Sequence, residues 1–463
     1  MQNQASDPNT ESEVFLPKAP AETLERGLSL TQATAINMID MVGIGPFVVI
    51  PFIVGLMHGP MCLIAWLVGA LLAYMDGMVW AELGAKWPEA GGSYIFLQKL
   101  FGKWGKLMAF LFIWQTLIQA PLVVASGAIG FSQYLSFLIP LGIIQKKAIS
   151  GALVILIVIL LYRNIKSIGK ISIFFWVITA GTIVWLIVSG FTHFNPSMAF
   201  DFHMQGFDNY SLFFAAIGMA SLKSVYSYLG YYNVCHLGAE IKNPAKNIPR
   251  SIFISITGIA ILYLGMQTMI LGVLPWQEIA KSEFVASTYF EHIYNHTTGQ
   301  IATVLILIIA LASLFSVILG YSRVPYAAAK NGDFFAVFAK VHPKHKIPHI
   351  SLLALGGLGF IFSLLFRLSD VITAIITVRI LIQFVSQAAG VIAWHYSKRN
   401  DKRPFKMPLF PIPAILSILI WLFIFYNTTW PYMAGALGII VSGCILFKIK
   451  EDYANAKSSL SKK

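Results

Sequence analysis

Apolar residues run along this chain in blocks of about 15 to 25, separated by short stretches rich in Pro, Lys or Arg. The blocks show neither the stripe of a surface helix nor the strict alternation of a half-buried strand. Their length suits a hydrocarbon core about 30 Å thick. In lipid, helices and closed barrels alone pair all their backbone groups, and a barrel needs alternating strands of about ten residues. The pattern therefore predicts an all-α integral membrane protein. Twelve transmembrane helices are expected, near residues 33–57, 61–82, 105–131, 148–163, 170–190, 211–236, 250–274, 299–321, 351–366, 371–394, 409–426 and 431–447. The segment 91–103 reads as a short amphipathic helix after the second span.

Composition agrees with this reading. Of 463 residues, 57% are hydrophobic and 11% charged, whereas a soluble chain carries about 25% charged residues. Residues 1–30 are polar, hold Asp7, Glu11, Glu13, Glu22 and Glu25, and lack the apolar core of a secretory signal, so the first span is expected to serve for targeting. Cys62, Cys235 and Cys444 are scattered through apolar blocks with no CxxC pair. The net charge of +13 acquires meaning once it is sorted by side. With both termini in the cytoplasm, 27 Lys and Arg fall inside and four outside, namely Lys146, Lys147, Lys281 and Arg367. That bias follows the positive-inside rule and predicts a multi-pass protein of the cell membrane with an even helix count. A basic inner face meets anionic lipid, so nucleic acid is not an expected partner.

Two spans contain residues that helices disfavour. The first carries Gly43-Ile44-Gly45-Pro46-Phe47, and the sixth carries Tyr226-Ser227-Tyr228-Leu229-Gly230-Tyr231-Tyr232-Asn233. Pro46 lacks an N–H and clashes with the preceding turn, while glycine accepts torsions that other residues avoid. Interrupted helices at corresponding places in two halves point to a mid-membrane substrate site. A break frees peptide groups that are tolerated in lipid when they are buried or line a cavity. The N-terminus of the second half-helix offers N–H donors and partial positive charge to a carboxylate. Open carbonyls at the other half suit an ammonium group. A zwitterion with both groups on one carbon fits this pairing.

Three stretches resemble permeases of the amino acid–polyamine–organocation superfamily. They are the Gly-x-Gly-x-Phe break within Met41–Pro51, the run Ala81-Glu82-Leu83-Gly84 to Pro88-Glu89-Ala90-Gly91-Gly92-Ser93-Tyr94, and Tyr226 to Arg250 with Gly238-Ala239-Glu240-Ile241-Lys242-Asn243-Pro244. The resemblance spans about residues 28–448. It implies a LeuT-type 5+5 inverted repeat, about residues 31–190 and 211–394, plus two C-terminal helices in 395–448, with tails at 1–30 and 449–463. It implies a secondary active transporter, not an enzyme, that moves amino acids by alternating access without a cofactor. The amides of Ile44, Gly45 and Phe47 would face the carboxylate. Carbonyls near Met41 and Val42, and near Tyr226 and Ser227, would face the ammonium. Gly43, Tyr228 and Gly230 complete the implied binding set, and Tyr226 stands where the family places an outer-gate aromatic. Several positions depart from the pattern. Ile44 stands where a small polar residue is common, Pro46 follows the second glycine, Leu229 and Tyr232 stand where many members have smaller or polar residues, and Trp176-Val177-Ile178-Thr179 lacks the lysine that some proton-coupled members carry.

Charges inside spans are costly and mark functional positions. Asp40, three residues before Gly43, is a candidate for a coupling proton or cation. Ser313 and Ser316 are candidates for a sodium site against carbonyls of the first span. Glu82, Glu240 and Arg323 form a candidate inner gate, and Asp76 is expected to pair inside the bundle. Lys223 either lines an outer vestibule or snorkels to the surface, and Arg379 needs a partner. His342, His345 and His349 lack the spacing of a zinc site. No GxxxxGK[ST] phosphate loop, HExxH motif or selectivity-filter signature occurs. The remaining alternatives are a polyamine or other organic-cation transporter of the same fold, and a sensor that binds without translocating.

Overall fold

A computed structural model describes residues 24–202, 207, 209–366, 368–398 and 400–460. The expectations for the acidic N-terminal tail and for Arg367 lie outside the described residues. The rest is helical, with no named strand among the described residues and isolated bridges pairing Leu28 with Ile241 and Ala90 with Leu237.

The order is α1 (Leu30–Met41), α2 (Gly45–Leu56), α3 (Cys62–Lys86), α4 (Ser93–Leu100), α5 (Gly105–Leu135), α6 (Ile143–Leu161) and α7 (Ile165–Gly190). Next come α8 (Pro196–Ala199), α9 (Tyr210–Tyr228), α10 (Asn233–His236), α11 (Pro244–Val273), α12 (Trp276–Lys281) and α13 (Val285–Ile293). The last are α14 (His296–Tyr321), α15 (Arg323–Lys330), α16 (His349–Leu365), α17 (Leu368–Arg379), α18 (Ser386–Ser397), α19 (Ile412–Tyr426) and α20 (Trp430–Leu460). Among the described residues, eight helices are long and apolar enough to cross a membrane, or nine when the α1–α2 pair, bent by 45°, counts as one. α16 and α19 are apolar but shorter. The amphipathic segment expected after the second span is α4.

Helix ends follow local chemistry. Ser29 caps α1 in a reciprocal box with Gln32, satisfying two end donors. Asn164, Asn209 and Asn295 cap α7, α9 and α14 through their side-chain oxygens. Pro46 and Pro244 sit in the first turns of α2 and α11, where a missing N–H costs nothing.

Burial is distributed as a lipid solvent requires. Ile155, Leu156 and Ile159 of α6 and Phe174, Val177, Val184 and Val188 of α7 are exposed, giving the bundle an apolar exterior. Polar side chains such as Gln115, Gln119, Asn233 and Gln267 are buried within. Their positions agree with a bundle whose helices are joined by packing and buried polar contacts.

Candidate functional site

The first interruption spans residues 42–44. α1 ends at Met41, the Val42 N–H still donates to Met38 O at 2.9 Å, and α2 restarts at Gly45. No side chain caps α2. Because Pro46 has no N–H, the amides of Gly45 and Phe47 are the open donors of its first turn, and Val48 N already bonds Ile44 O.

The second interruption is shorter than its sequence implies. Tyr226, Ser227 and Tyr228 remain in the last turn of α9, and the chain unwinds over Leu229–Tyr232 before α10. Gly230 fixes the place, with φ at +128°, a region that strains any L side chain. A Cβ there would lie 2.7 Å from Met41 N and 2.9 Å from the carbonyl carbon of Asp40. The two interruptions are thus in direct backbone contact.

Both face one cavity of about 60 Å³. Asp40, Met41, Gly43, Ile44 and Gly45 line it from the first break, and Tyr226, Ser227, Leu229, Gly230 and Tyr232 from the second. α5 contributes Ser126, α14 contributes Ser313 and Tyr321, and α17 contributes Ile375 and Arg379. Val42, Phe47 and Tyr228 stand apart from the lining. The Phe47 carbonyl accepts from Tyr134 Oη at 3.3 Å, and Tyr228 packs edge-on against Trp66 and Tyr263. At one end of the cavity Tyr226 Oη lies 3.0 Å from Ser126 Oγ, and the Tyr226 ring sits against Gly45.

The peptide groups that the breaks release are largely claimed by side chains distant in sequence. Asn37 Nδ2 donates to Tyr231 O at 2.7 Å, and Asn37 Oδ1 accepts from Val234 N at 2.9 Å. Asn233 Nδ2 donates to Ser316 O and Oγ at 2.9 and 2.8 Å. Tyr263 Oη lies 2.7 Å from Met41 O and 3.1 Å from Ser227 O, so one hydroxyl proton serves a carbonyl from each break. The carbonyls expected to face an ammonium group at Met41 and Ser227 are therefore already supplied with a donor. Tyr263→Phe should cost about 1–3 kcal/mol by leaving both buried carbonyls unpaired. A lowered thermal midpoint of the purified protein in detergent checks this, and an unchanged midpoint counts against the bridge.

The serines of α14 adjoin the same break. Ser316 Oγ donates to Ile36 O at 2.7 Å and Ser313 Oγ to Asp40 O at 3.4 Å. Ser316 is thus bonded to the first-span carbonyl that a cation would need, and it accepts from Asn233 as well. No group of three or more His, Cys, Asp or Glu side chains able to hold a metal ion occurs among the described residues.

Arg379 is the intramembrane charge whose partner the sequence left open. It is buried, its Nε bonds Gln383 Oε1 at 2.8 Å, and its Nη2 bonds Tyr232 Oη. Its guanidinium lies 5.1 Å from the ring centres of both Tyr232 and Phe384. Asp40 lines the same cavity, which therefore holds one carboxyl and one guanidinium. Directly after Arg379 the helix widens into a π-helical turn, Ile380–Val385, a form common at functional sites.

The three expected gate residues separate into two clusters. Arg323 holds Glu240 in a buried fork, Nε to Oε2 and Nη2 to Oε1 both at 2.9 Å. The Gly27 and Leu28 amides donate to Glu240 O. Glu82 does not join them. It meets His395 Nε2 at 2.7 Å, Met407 N at 3.1 Å and Arg403 Nε at 3.7 Å. Asp76 is paired inside the bundle, accepting from Trp80 Nε1, Tyr231 Oη and Ser417 Oγ.

An all-helical, multi-pass membrane protein with a cavity between interrupted helices is the class that this architecture defines. The amino acid permease family model matches residues 28–446, and the chain belongs to that family. It is accordingly a membrane transport protein and not an enzyme. Among its relatives, the branched-chain amino acid permease BcaP of Bacillus subtilis is 24% identical over 444 residues, covering 92% of this chain and 93% of that protein. The serine/threonine exchanger SteT of the same organism is 26% identical, with 77% and 80% covered. The mouse large neutral amino acids transporter small subunit 2 is 27% identical, with 91% and 80% covered.

Proposed function

We propose that this chain is a secondary active transporter that carries amino acids across the cell membrane by alternating access, with the substrate held between the α1–α2 and α9–α10 breaks. In this reading twelve spans form two inverted five-helix repeats plus two further helices, and both termini are cytoplasmic. The observation that carries the proposal is the single cavity shared by the two breaks. Gly45 N at the head of α2, which lines the cavity, receives the substrate carboxylate. The Met41 and Ser227 carbonyls, which Tyr263 Oη holds in place, face the ammonium through their second lone pairs. The relatives named as amino acid permeases and exchangers support the substrate class.

Tyr226 with Ser126 closes the outer end, and Glu240 with Arg323 closes the inner end. Arg379 weighs against a polyamine substrate, because a second cationic centre would meet a buried guanidinium. Uptake of a panel of labelled amino acids into reconstituted vesicles, with and without imposed proton and sodium gradients, tests the proposal. Uptake and counterflow of amino acids are expected. Polyamine uptake without amino-acid uptake, or binding without counterflow, would contradict it.

Asp40 sits where a coupling ion or proton would act, against Arg379 and Asn233. Asp40→Asn is expected to change the dependence of uptake on pH or sodium while the protein remains folded. Identical gradient dependence in the variant would remove Asp40 from coupling.

A further inference from the structure

A second cavity of about 410 Å³ opens beyond the Tyr226–Ser126 contact, on the face where α6 begins. Three helices that line the central cavity also line this one, about one turn further on. α5 passes from Ser126 to Ile129, α9 from Tyr226 back to Lys223, and α17 from Ile375 back to Ile372. A third cavity of about 460 Å³ adjoins it and shares Val48, Phe52, Gln133 and Lys146.

The charges around this mouth are one-sided. Four Lys and Arg residues fall on the outer side of the sequence, and three of them, Lys146, Lys147 and Lys281, line these two cavities. Lys223 joins them from within a span, with Nζ 2.9 Å from Thr373 Oγ1 on α17. Lys223 itself lines the second cavity, and the lining residues of α17 run from Ile372 there to Ile375 and Arg379 in the central cavity. Glu283 is the acid lining either cavity. Four ammonium groups against one carboxylate, between walls such as Phe52, Ile129 and Phe366, concentrate a positive field where solutes enter.

We propose that this mouth is an anion-attracting antechamber that stages a net-anionic amino acid, a dicarboxylate, ahead of the central cavity. Lys146, Lys147 and Lys223 bind its carboxylates, and the guanidinium of Arg379 supplies the next cationic position inward. The proposal rests on the reading of the chain as an amino-acid transporter with its outer gate at Tyr226, and names the substrate charge that this reading leaves open.

The test does not depend on transport. In full-length protein carrying Cys444→Ser, which removes the exposed native thiol, Gln133→Cys places a thiol at the junction of the two cavities. Its reaction with an anionic and a cationic methanethiosulfonate reagent is timed at low ionic strength in phosphatidylcholine vesicles. The anionic reagent should react about tenfold faster, relative to free cysteine, and high salt or Lys146→Gln, Lys147→Gln and Lys223→Gln together should remove the preference. L-aspartate should slow labelling more than its neutral isostere L-asparagine. Equal rates for the two reagents, equal protection by the two amino acids, or a preference abolished by adding phosphatidylglycerol would each overturn the proposal, the last because the lysines would then serve lipid phosphate. Retained reagent preference with no uptake of any amino acid would defeat the transport reading and leave the antechamber's electrostatics standing.

Discussion

Gly45→Leu is expected to abolish amino-acid uptake while leaving membrane insertion and helical content unchanged. A Cβ at Gly45 would lie 2.8 Å from Tyr226 Cε1, closer than a carbon contact allows, so the rest of a leucine side chain must enter the cavity or displace the Tyr226 ring. The cavity is about 60 Å³, too small to take that chain and a substrate together. Overpacking of this kind costs about 3 kcal/mol, roughly a hundredfold in affinity. The leucine also stands beside the first open amide of α2, where the carboxylate is to bind. Equilibrium binding and vesicle uptake of the transported amino acid check the effect, alongside size-exclusion behaviour as the folding control. Uptake at the parent rate would mean that the break at residues 42–44 is a packing feature and no more.

Arg323→Met should be among the most destabilising single substitutions in the protein. Arg323 and Glu240 are 1% and 0% exposed, and the guanidinium satisfies both carboxylate oxygens as well as Leu319 O. Removing it strands a buried carboxylate at a cost of about 3–5 kcal/mol. Replacing both residues with methionine removes the stranded charge, so the double variant should recover most of the lost stability. If the pair also closes the inner gate, the double variant should remain folded yet expose the cavity from the Arg323 end. Thermal midpoints of the two variants in detergent decide the first point, and equal loss in both would contradict it.

The first break was legible because its chemistry is local. Gly43, Gly45 and Pro46 each disfavour helix, and the interruption falls between Met41 and Gly45. The second was legible as a region but not in its bounds. Nothing in Tyr226-Ser227-Tyr228 stops a helix, and these residues stay in α9 until Gly230 takes its left-handed torsion. What sequence could not supply was the set of partners that steady the freed backbone. Asn37 reaches Tyr231 across 194 positions, and Tyr263 reaches Met41 across 222. Each looks, in isolation, like an ordinary polar residue in an apolar run.

Arg379 was visible as a charge in the membrane, but its company of Tyr232, Phe384 and Gln383 was not, since the tyrosine lies 147 positions away. Glu82 was grouped with Glu240 and Arg323 by its expected depth alone. Depth does not fix direction, and its true partners His395 and Met407 come from the helix and loop more than 300 positions later. The amphipathic placement of α4 needed no such information, because it depends on neighbours three or four residues apart.

The most direct test of the central claim is a cryo-electron microscopy map of the protein saturated with an amino acid it is found to transport. The account predicts unwound backbone at residues 42–44 and 229–232 with ligand density between them. The carboxylate should lie within hydrogen-bond reach, about 2.7–3.2 Å, of the Gly45 amide. Continuous helices through either segment, or a ligand bound away from both, would contradict it.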